Sequence, residues 1–233
     1  MSYPLRPEAP ICSLPPDGVA DLLIRNREWA KRKTQDDPQF FNRLVGQQSP
    51  DYFWIGCSDS RVPATEIVDL QPGEMFVHRN VGNLVPAGDV NFNAALLFAV
   101  DVLRVRHVMV VGHYGCGGIR AARETATDDV VGKWLAPVRS LCREHHSTLS
   151  ALCDERARED RLCELNVIAQ VELLHANPII GRAWQDGREL TIHGLIYAIG
   201  DGLLQRVCVP RSRLNEARHS MSADEAGYIK KIP

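Results

Sequence analysis

Tyr52-Phe53-Trp54-Ile55-Gly56-Cys57 and Val108-Met109-Val110-Val111-Gly112-His113 are two short apolar runs, each closing on a residue type that binds metals. Runs this short and this uniformly apolar read as strands buried on both faces rather than as helices. Between them the sequence predicts a helical segment over 64–70, a turn at Gln71-Pro72-Gly73, a strand over 75–78 and a helix over 92–103. Strands alternating with helices predict a parallel sheet covered by helices, because parallel neighbours need long right-handed crossovers. Ligands of such sheets bind beyond the carboxyl ends of the strands. Cys57 and His113 fall at those ends, so residues far apart in sequence can meet in one crevice.

Working outward, residues 1–16 are proline-rich and read as an arm. A helix follows over 18–34, with Val19, Leu22, Leu23 and Trp29 on one face. Asp37-Pro38 reads as the N-cap and first residue of a second short helix carrying Phe40, Phe41, Leu44 and Val45, stopped at Gly46. The second half predicts helices over 129–145, 155–175 and 179–185. A hairpin then joins strands 190–199 and 204–209 through Gly200-Asp201-Gly202. The expected fold is one α/β domain over 1–233, with a central, mostly parallel sheet flanked by helices and an antiparallel C-terminal hairpin. An N-terminal helical arm spans 1–46 and a tail spans 211–233.

A chain of 233 residues with a net charge of −2 fits a globular protein, and its bulk charge implies no nucleic-acid partner. Met1-Ser2-Tyr3-Pro4-Leu5-Arg6-Pro7 lacks the basic-then-apolar pattern of a leader, and no segment is long enough to span a bilayer. The expected location is cytoplasmic, without a membrane partner. Seven cysteines are an odd number in a chain too large to need disulfide staples, so reduced thiols are expected. Cys12, Cys142, Cys153, Cys163 and Cys208 lack a ligand-spaced partner and read as inert.

His113-Tyr114-Gly115-Cys116 spaces a histidine and a cysteine three residues apart, close enough for one turn to aim both at a single ion; Gly115, Gly117 and Gly118 ease that turn. Together with Cys57 they make a ligand set of two sulfurs and one nitrogen with no fourth member, the pattern of catalytic rather than structural zinc. Alone, each residue would pass for a core thiol or a hydrogen-bonded histidine; their coincidence at two strand ends favours the metal. Zinc held there would bring water towards ionisation at neutral pH, although two thiolates temper the effect. In Cys57-Ser58-Asp59-Ser60-Arg61, Asp59 is the candidate acceptor for the remaining proton, and Arg61 would hold it ionised. Were Arg61 to release it, Asp59 could itself become the fourth ligand and close the site.

These two motifs resemble those of the beta class of carbonic anhydrases, and the segments 37–83, 93–122 and 166–204 resemble its bacterial type II, bicarbonate-regulated branch. The resemblance implies reversible hydration of carbon dioxide to bicarbonate and a proton, zinc on Cys57, His113 and Cys116, and an Asp59–Arg61 catalytic dyad. It implies a homodimer, and a tetramer built as a dimer of dimers, with carbon dioxide, water and bicarbonate as the small partners. Trp54, Arg79 and Tyr197 match the branch's noncatalytic bicarbonate pocket, which favours the closed, Asp59-ligated zinc. Leu195 and Gly82 depart from the aromatic and the alanine common in relatives. Hydrolysis of carbonyl sulfide or carbon disulfide on the same fold is an alternative, as is a noncatalytic zinc or bicarbonate sensor. Thiol redox chemistry is disfavoured by the absence of a C-x-x-C pair.

Overall fold

In the computed structural model, residues 18–46, 48–124, 127–208 and 210–212 are described. The proline-rich stretch 1–16 and all but the first two residues of the expected tail lie outside them. The chain divides into two units, Met1–Gln48 and Ser49–Pro233.

The first unit holds α1 (Gly18–Asp36) and α2 (Phe40–Val45). Helix α1 runs two residues past its expected end, and Val19, Leu22 and Leu23 on it are exposed. Helix α2 starts later than Asp37-Pro38 implies. The Asp37 carboxylate accepts the N–H of Gln39 at 3.0 Å, a side-chain turn two residues long, and the helix opens only at Phe40. Trp29, Phe40 and Phe41 pack edge to face, with ring centroids 5.0 to 6.4 Å apart.

The second unit carries, among the described residues, a six-stranded sheet. Its strands are β1 (Tyr52–Cys57), β2 (Met75–Asn80), β3 (His107–His113), β4 (Thr191–Ala198), β5 (Leu203–Arg206) and β6 (Arg211–Ser212). The order is β2-β1-β3-β4-β5, and β6 also pairs with β4. The pairs β1·β2, β1·β3 and β3·β4 are parallel, whereas β5 and β6 run antiparallel to β4. The α/β reading with a C-terminal antiparallel pair therefore holds. Strand β2 extends to Asn80 because its ladder with β1 continues to the Cys57–Asn80 pair. Strand β5 is shorter than expected, and the two residues beginning the expected tail pair with Thr191 and Ile192.

Helix α3 (Ala64–Ile67) stops before Asp69, which takes a left-handed φ of 52°. Helix α4 (Val90–Leu97) begins two residues early, because the Asp89 carboxylate caps it through the Phe92 N–H, and it ends in a π-helical turn over Phe98–Val102. The sequence did not predict α5 (Gly117–Arg123) or α8 (His146–Ser150). The single helix expected over 129–145 is broken at Leu135 into α6 (Val130–Trp134) and α7 (Ala136–Glu144). Pro137 explains the break: it lacks an N–H and fits only a first helical turn. Helices α9 (Glu155–His175) and α10 (Pro178–Gln185) stand where expected, with Asp154 and Asn177 as N-caps.

Alternation along the strands sends Phe53, Ile55, Val108 and Val110 to one face, where they join Val167, Val171 and Leu174 of α9 and Ile180 of α10 in the main core. Trp54, Met109 and Val111 point to the other face and pack in a smaller cluster with Val62 and Ala64. Full burial of each such side chain contributes roughly 1.5–3 kcal/mol, so the main cluster dominates. It fixes the β1 and β3 ends from which the candidate site is built.

Candidate metal centre

Strand β1 ends on Cys57, strand β3 ends on His113, and Cys116 immediately precedes α5. Gly115 takes a φ of +66°, the reversal that brings Cys116 back towards His113. The potential ligand atoms of Cys57, His113 and Cys116 lie within 4.8 Å of one another, and all three residues are buried. Among the described residues no other histidines, cysteines or carboxylates gather in this way.

The spacing fits zinc. Tetrahedral geometry with Zn–S bonds of about 2.3 Å puts two sulfurs about 3.8 Å apart, and the Cys57 and Cys116 Sγ atoms are 3.8 Å apart. His113 is in the right tautomer to ligate. Its Nδ1 lies 3.1 Å from the Tyr114 carbonyl oxygen, which can only accept, so Nδ1 carries the proton and Nε2 presents its lone pair. That Nε2 is buried and has no hydrogen-bond partner. An orphaned acceptor facing two sulfurs is costly in a closed core and is satisfied by a cation.

The two thiols share their protons unequally. The hydrogen bond from Cys116, with backbone N–H groups of the neighbouring loops behind it, draws the Cys57 thiol well below its ordinary range. The same contact with Cys57, reinforced by burial, pushes Cys116 up. Metal binding releases the remaining proton, because thiolate is the ligating form.

Asp59 is engaged by Arg61 through two parallel bonds, Nε to Oδ1 at 3.0 Å and Nη2 to Oδ2 at 2.8 Å. The guanidinium, aided by the Arg61 backbone N–H, holds the carboxyl far below the usual carboxylate range. Asp59 Oδ2 also lies 3.8 Å from His113 Nε2, at the edge of the ligand set. Both carboxylate oxygens are thus taken up by Arg61. A cavity of about 610 Å³ opens beside Arg61, lined also by Tyr114, Gly115, Arg120, Glu159 and Asp160.

Trp54, Arg79 and Tyr197 lie on one face of the sheet by strand register: Arg79 pairs with Gly56, and Tyr197 pairs with His113. Trp54 is fully buried, and its ring lies over Gly56, where an added Cβ would come within 2.1 Å of the indole Nε1. Only glycine permits that approach. The indole N–H is buried without a partner. The Arg79 guanidinium is held against the same strand end, donating to the Cys57 carbonyl at 2.8 Å and the Asp59 carbonyl at 2.5 Å. Tyr197 packs at the margin of the Trp54 cluster.

Sequence reasoning missed several groups around this centre. The Tyr114 hydroxyl donates to Glu164 Oε1 at 2.8 Å, and Glu164 also accepts from Arg161 at 2.7 Å, tying the His113–Cys116 turn to α9. Cys163, read as inert, is buried beside the Cys116 backbone N–H, and burial pushes its thiol up to about 12. Polar residues at i,i+4 inside the apolar stretch of α9, Asn166 and Gln170, were the one sequence signal available. Of the histidines outside the ligand set, His107 and His193 pair side by side, Nδ1 to Nε2 at 3.2 Å.

Comparison with known proteins bears on this geometry. A sequence model of the family described as carbonic anhydrase matches residues 52–204. A carbonic anhydrase of Emericella nidulans is 41% identical over 184 residues, covering 79% of this chain and 81% of the relative. A crystal structure from work on two tetrameric beta-carbonic anhydrases of Sordaria macrospora superposes with a TM-score of 0.80 at 38% identity, covering 83% of this chain and 98% of that one. A Coccomyxa beta-carbonic anhydrase in complex with acetazolamide superposes with a TM-score of 0.82 at 37% identity, covering 87% of this chain and 91% of that one.

Proposed function

This chain belongs to the beta class of carbonic anhydrases, which are zinc enzymes, and we propose that Cys57, His113 and Cys116 hold its zinc while Asp59 and Arg61 form the catalytic dyad. The reaction is the reversible hydration of carbon dioxide to bicarbonate and a proton. Bound to these ligands, zinc supplies Lewis acidity that makes water nucleophilic near neutral pH. The carboxylate of Asp59, kept ionised by Arg61, can only accept hydrogen bonds, so it orients the attacking water and takes up its proton's hydrogen bond. The His113–Tyr114 bond keeps the imidazole from rotating or changing tautomer. The observation that carries this reading is the zinc-sized spacing of Cys57 and Cys116 beside an orphaned His113 Nε2.

Stopped-flow carbon dioxide hydration, on protein loaded with zinc and on protein stripped by chelator, tests the assignment. Activity that returns with one zinc per chain supports it; hydration indifferent to zinc overturns it.

The finer type II reading, bicarbonate bound by Trp54, Arg79 and Tyr197 and drawing Asp59 onto the metal, is part of the same proposal. It is supported by a buried indole N–H without a partner, beside the strand position that Arg79 faces. A bicarbonate oxygen would satisfy that donor and pair with the guanidinium. Homo-oligomerisation, as a dimer and then a tetramer, is supported by the exposed Val77 beside Trp54 on that face of the sheet and by the tetrameric Sordaria structures. A cytoplasmic location accords with free thiols at Cys57, Cys116, Cys142, Cys153, Cys163 and Cys208.

A further inference from the structure

Beyond β1 the chain forms a small turn that is closed on itself. The Val62 N–H donates to the Asp59 carbonyl at 3.1 Å, and the Arg61 N–H donates to Asp59 Oδ1 at 2.9 Å, so the residues from Asp59 to Val62 hold one another as a unit. The same turn carries the Asp59–Arg61 pair. It joins the strand end at Cys57 through one residue, Ser58, whose N–H donates to the Asn80 carbonyl at 3.0 Å. A single hydrogen bond leaves a chain free to swivel about it. A swivel at Ser58 would carry the Asp59 carboxylate, 3.8 Å from His113 Nε2, towards or away from the ligand set.

Arg79 removes that freedom. From β2 its Nε donates to the Cys57 carbonyl at 2.8 Å and its Nη2 to the Asp59 carbonyl at 2.5 Å, so one guanidinium spans Ser58. Nε and Nη2 lie on the same edge of a rigid planar group with parallel N–H bonds, which fixes the two carbonyls relative to each other rather than merely attracting each. The Asp59 carbonyl thereby serves both its own turn and this clip, with one lone pair for each. Strand register supplies the reach, because Arg79 stands opposite Gly56, next to the strand end. The clip takes one edge of the guanidinium, and the anion role proposed above is left the Nη1 edge.

We propose that Arg79 is a positioning residue for carbon dioxide hydration: its guanidinium spans the Ser58 hinge and holds the turn bearing Asp59 and Arg61 at a fixed place against the end of β1. The inference rests on the reading of Asp59 and Arg61 as the catalytic dyad. It assigns Arg79 no contact with the reacting atoms.

Two quantities are measured on the zinc-loaded, full-length protein: amide hydrogen exchange over 58–62, and kcat/KM for carbon dioxide hydration at low bicarbonate. Hydration by the unaltered protein tests the reading of the dyad itself, and exchange is decided without it, so the two failures are separable. Arg79→Lys keeps the positive charge but offers its donors from a single nitrogen, which cannot hold two carbonyls in a fixed geometry. It is expected to speed exchange over 58–62 about tenfold. It is expected to lower kcat/KM about 10- to 100-fold with zinc retained, the cost of a misplaced catalytic group. Arg79→Ala should do both at least as strongly, and Arg79→Lys decides the matter alone if Arg79→Ala does not fold. Arg106→Lys is the control. Arg106, exposed like Arg79, grips Asp51 through the same Nε and Nη2 edge just before the opposite end of β1, and its replacement leaves both quantities unchanged. Either quantity unmoved in Arg79→Lys, or equal changes in the Arg106 control, overturns the proposal. A change confined to bicarbonate inhibition makes Arg79 an anion ligand alone and overturns it as well.

Discussion

Arg61 holds Asp59 in a bidentate grip while the same carboxylate stands 3.8 Å from His113 Nε2, so one residue faces both its jailer and the ligand set. With both oxygens on the guanidinium, Asp59 would leave the fourth position of a zinc held by Cys57, His113 and Cys116 free for water. Replacing Arg61 by glutamine removes the grip without removing a ligand. Arg61→Gln is expected to keep zinc but to lose about 100-fold or more in kcat/KM for carbon dioxide hydration, and Asp59→Asn to lose a similar amount. Near-normal rates in both variants, with zinc bound, would show that the pair is an ordinary surface ion pair.

The three proposed ligands should fail differently from their neighbours. Cys57→Ala and His113→Ala are expected to purify with little zinc, whereas Cys163→Ala, equally buried but outside the set, retains a full complement. Metal analysis of the purified variants distinguishes them, and equal zinc in all three would refute the ligand assignment.

Trp54→Phe keeps an aromatic ring over Gly56 and deletes the orphaned indole donor. Inhibition by bicarbonate is expected to weaken by about tenfold, the effect of roughly one lost hydrogen bond to a charged group. Zinc content and kcat at low bicarbonate stay unchanged. Inhibition curves of the two proteins that superimpose would remove the indole from any bicarbonate site.

His193 supplies a pH dependence of stability remote from the metal. Burial, with the neighbouring His107 and Arg206, lowers its pKa to about 4. The Arg206 guanidinium, 3.3 Å from Nδ1, and His107 on Nε2 both favour the neutral ring. An unfolded histidine takes its proton near pH 6.5, well before the folded one. The stabilisation from this ring is therefore whole above about pH 6.5 and is lost as pH falls towards 4, a change of about 1 kcal/mol once solvent screening of a half-buried group is allowed for. Urea unfolding at pH 7 and at pH 5 should show a smaller drop for His193→Gln than for the unaltered protein. Identical drops would exclude this histidine as a contributor.

Tyr114→Phe tests the tie between the metal-site turn and α9. Losing the hydroxyl costs about 1 kcal/mol of stability, and no more, because Glu164 keeps its bond to Arg161. A loss of several kcal/mol in thermal unfolding would mean that the tie holds the turn itself.

Legibility from sequence followed the range of the physics. Long, capped or uniformly apolar segments such as β1, β3 and α9 were readable because their signals are local. The break at Leu135 was written in Pro137 and was passed over, and α5 was hidden because the glycines that open it look like loop. Strand β6, two residues long, exists only through its pairing with β4. No local pattern announces it.

The sequence by itself determined the alternating strand and helix order, the ligand types at the two strand ends and the carboxylate–guanidinium pair beside them, since periodicity and residue chemistry are properties of short segments. Tertiary structure alone decided how those groups are used: the His113 tautomer chosen by the Tyr114 carbonyl, Asp59 resting on Arg61, Trp54 lying over Gly56, and Arg79 spanning Ser58. Each depends on register and on packing between segments far apart in the chain, where a shift of one residue turns a side chain to the opposite face.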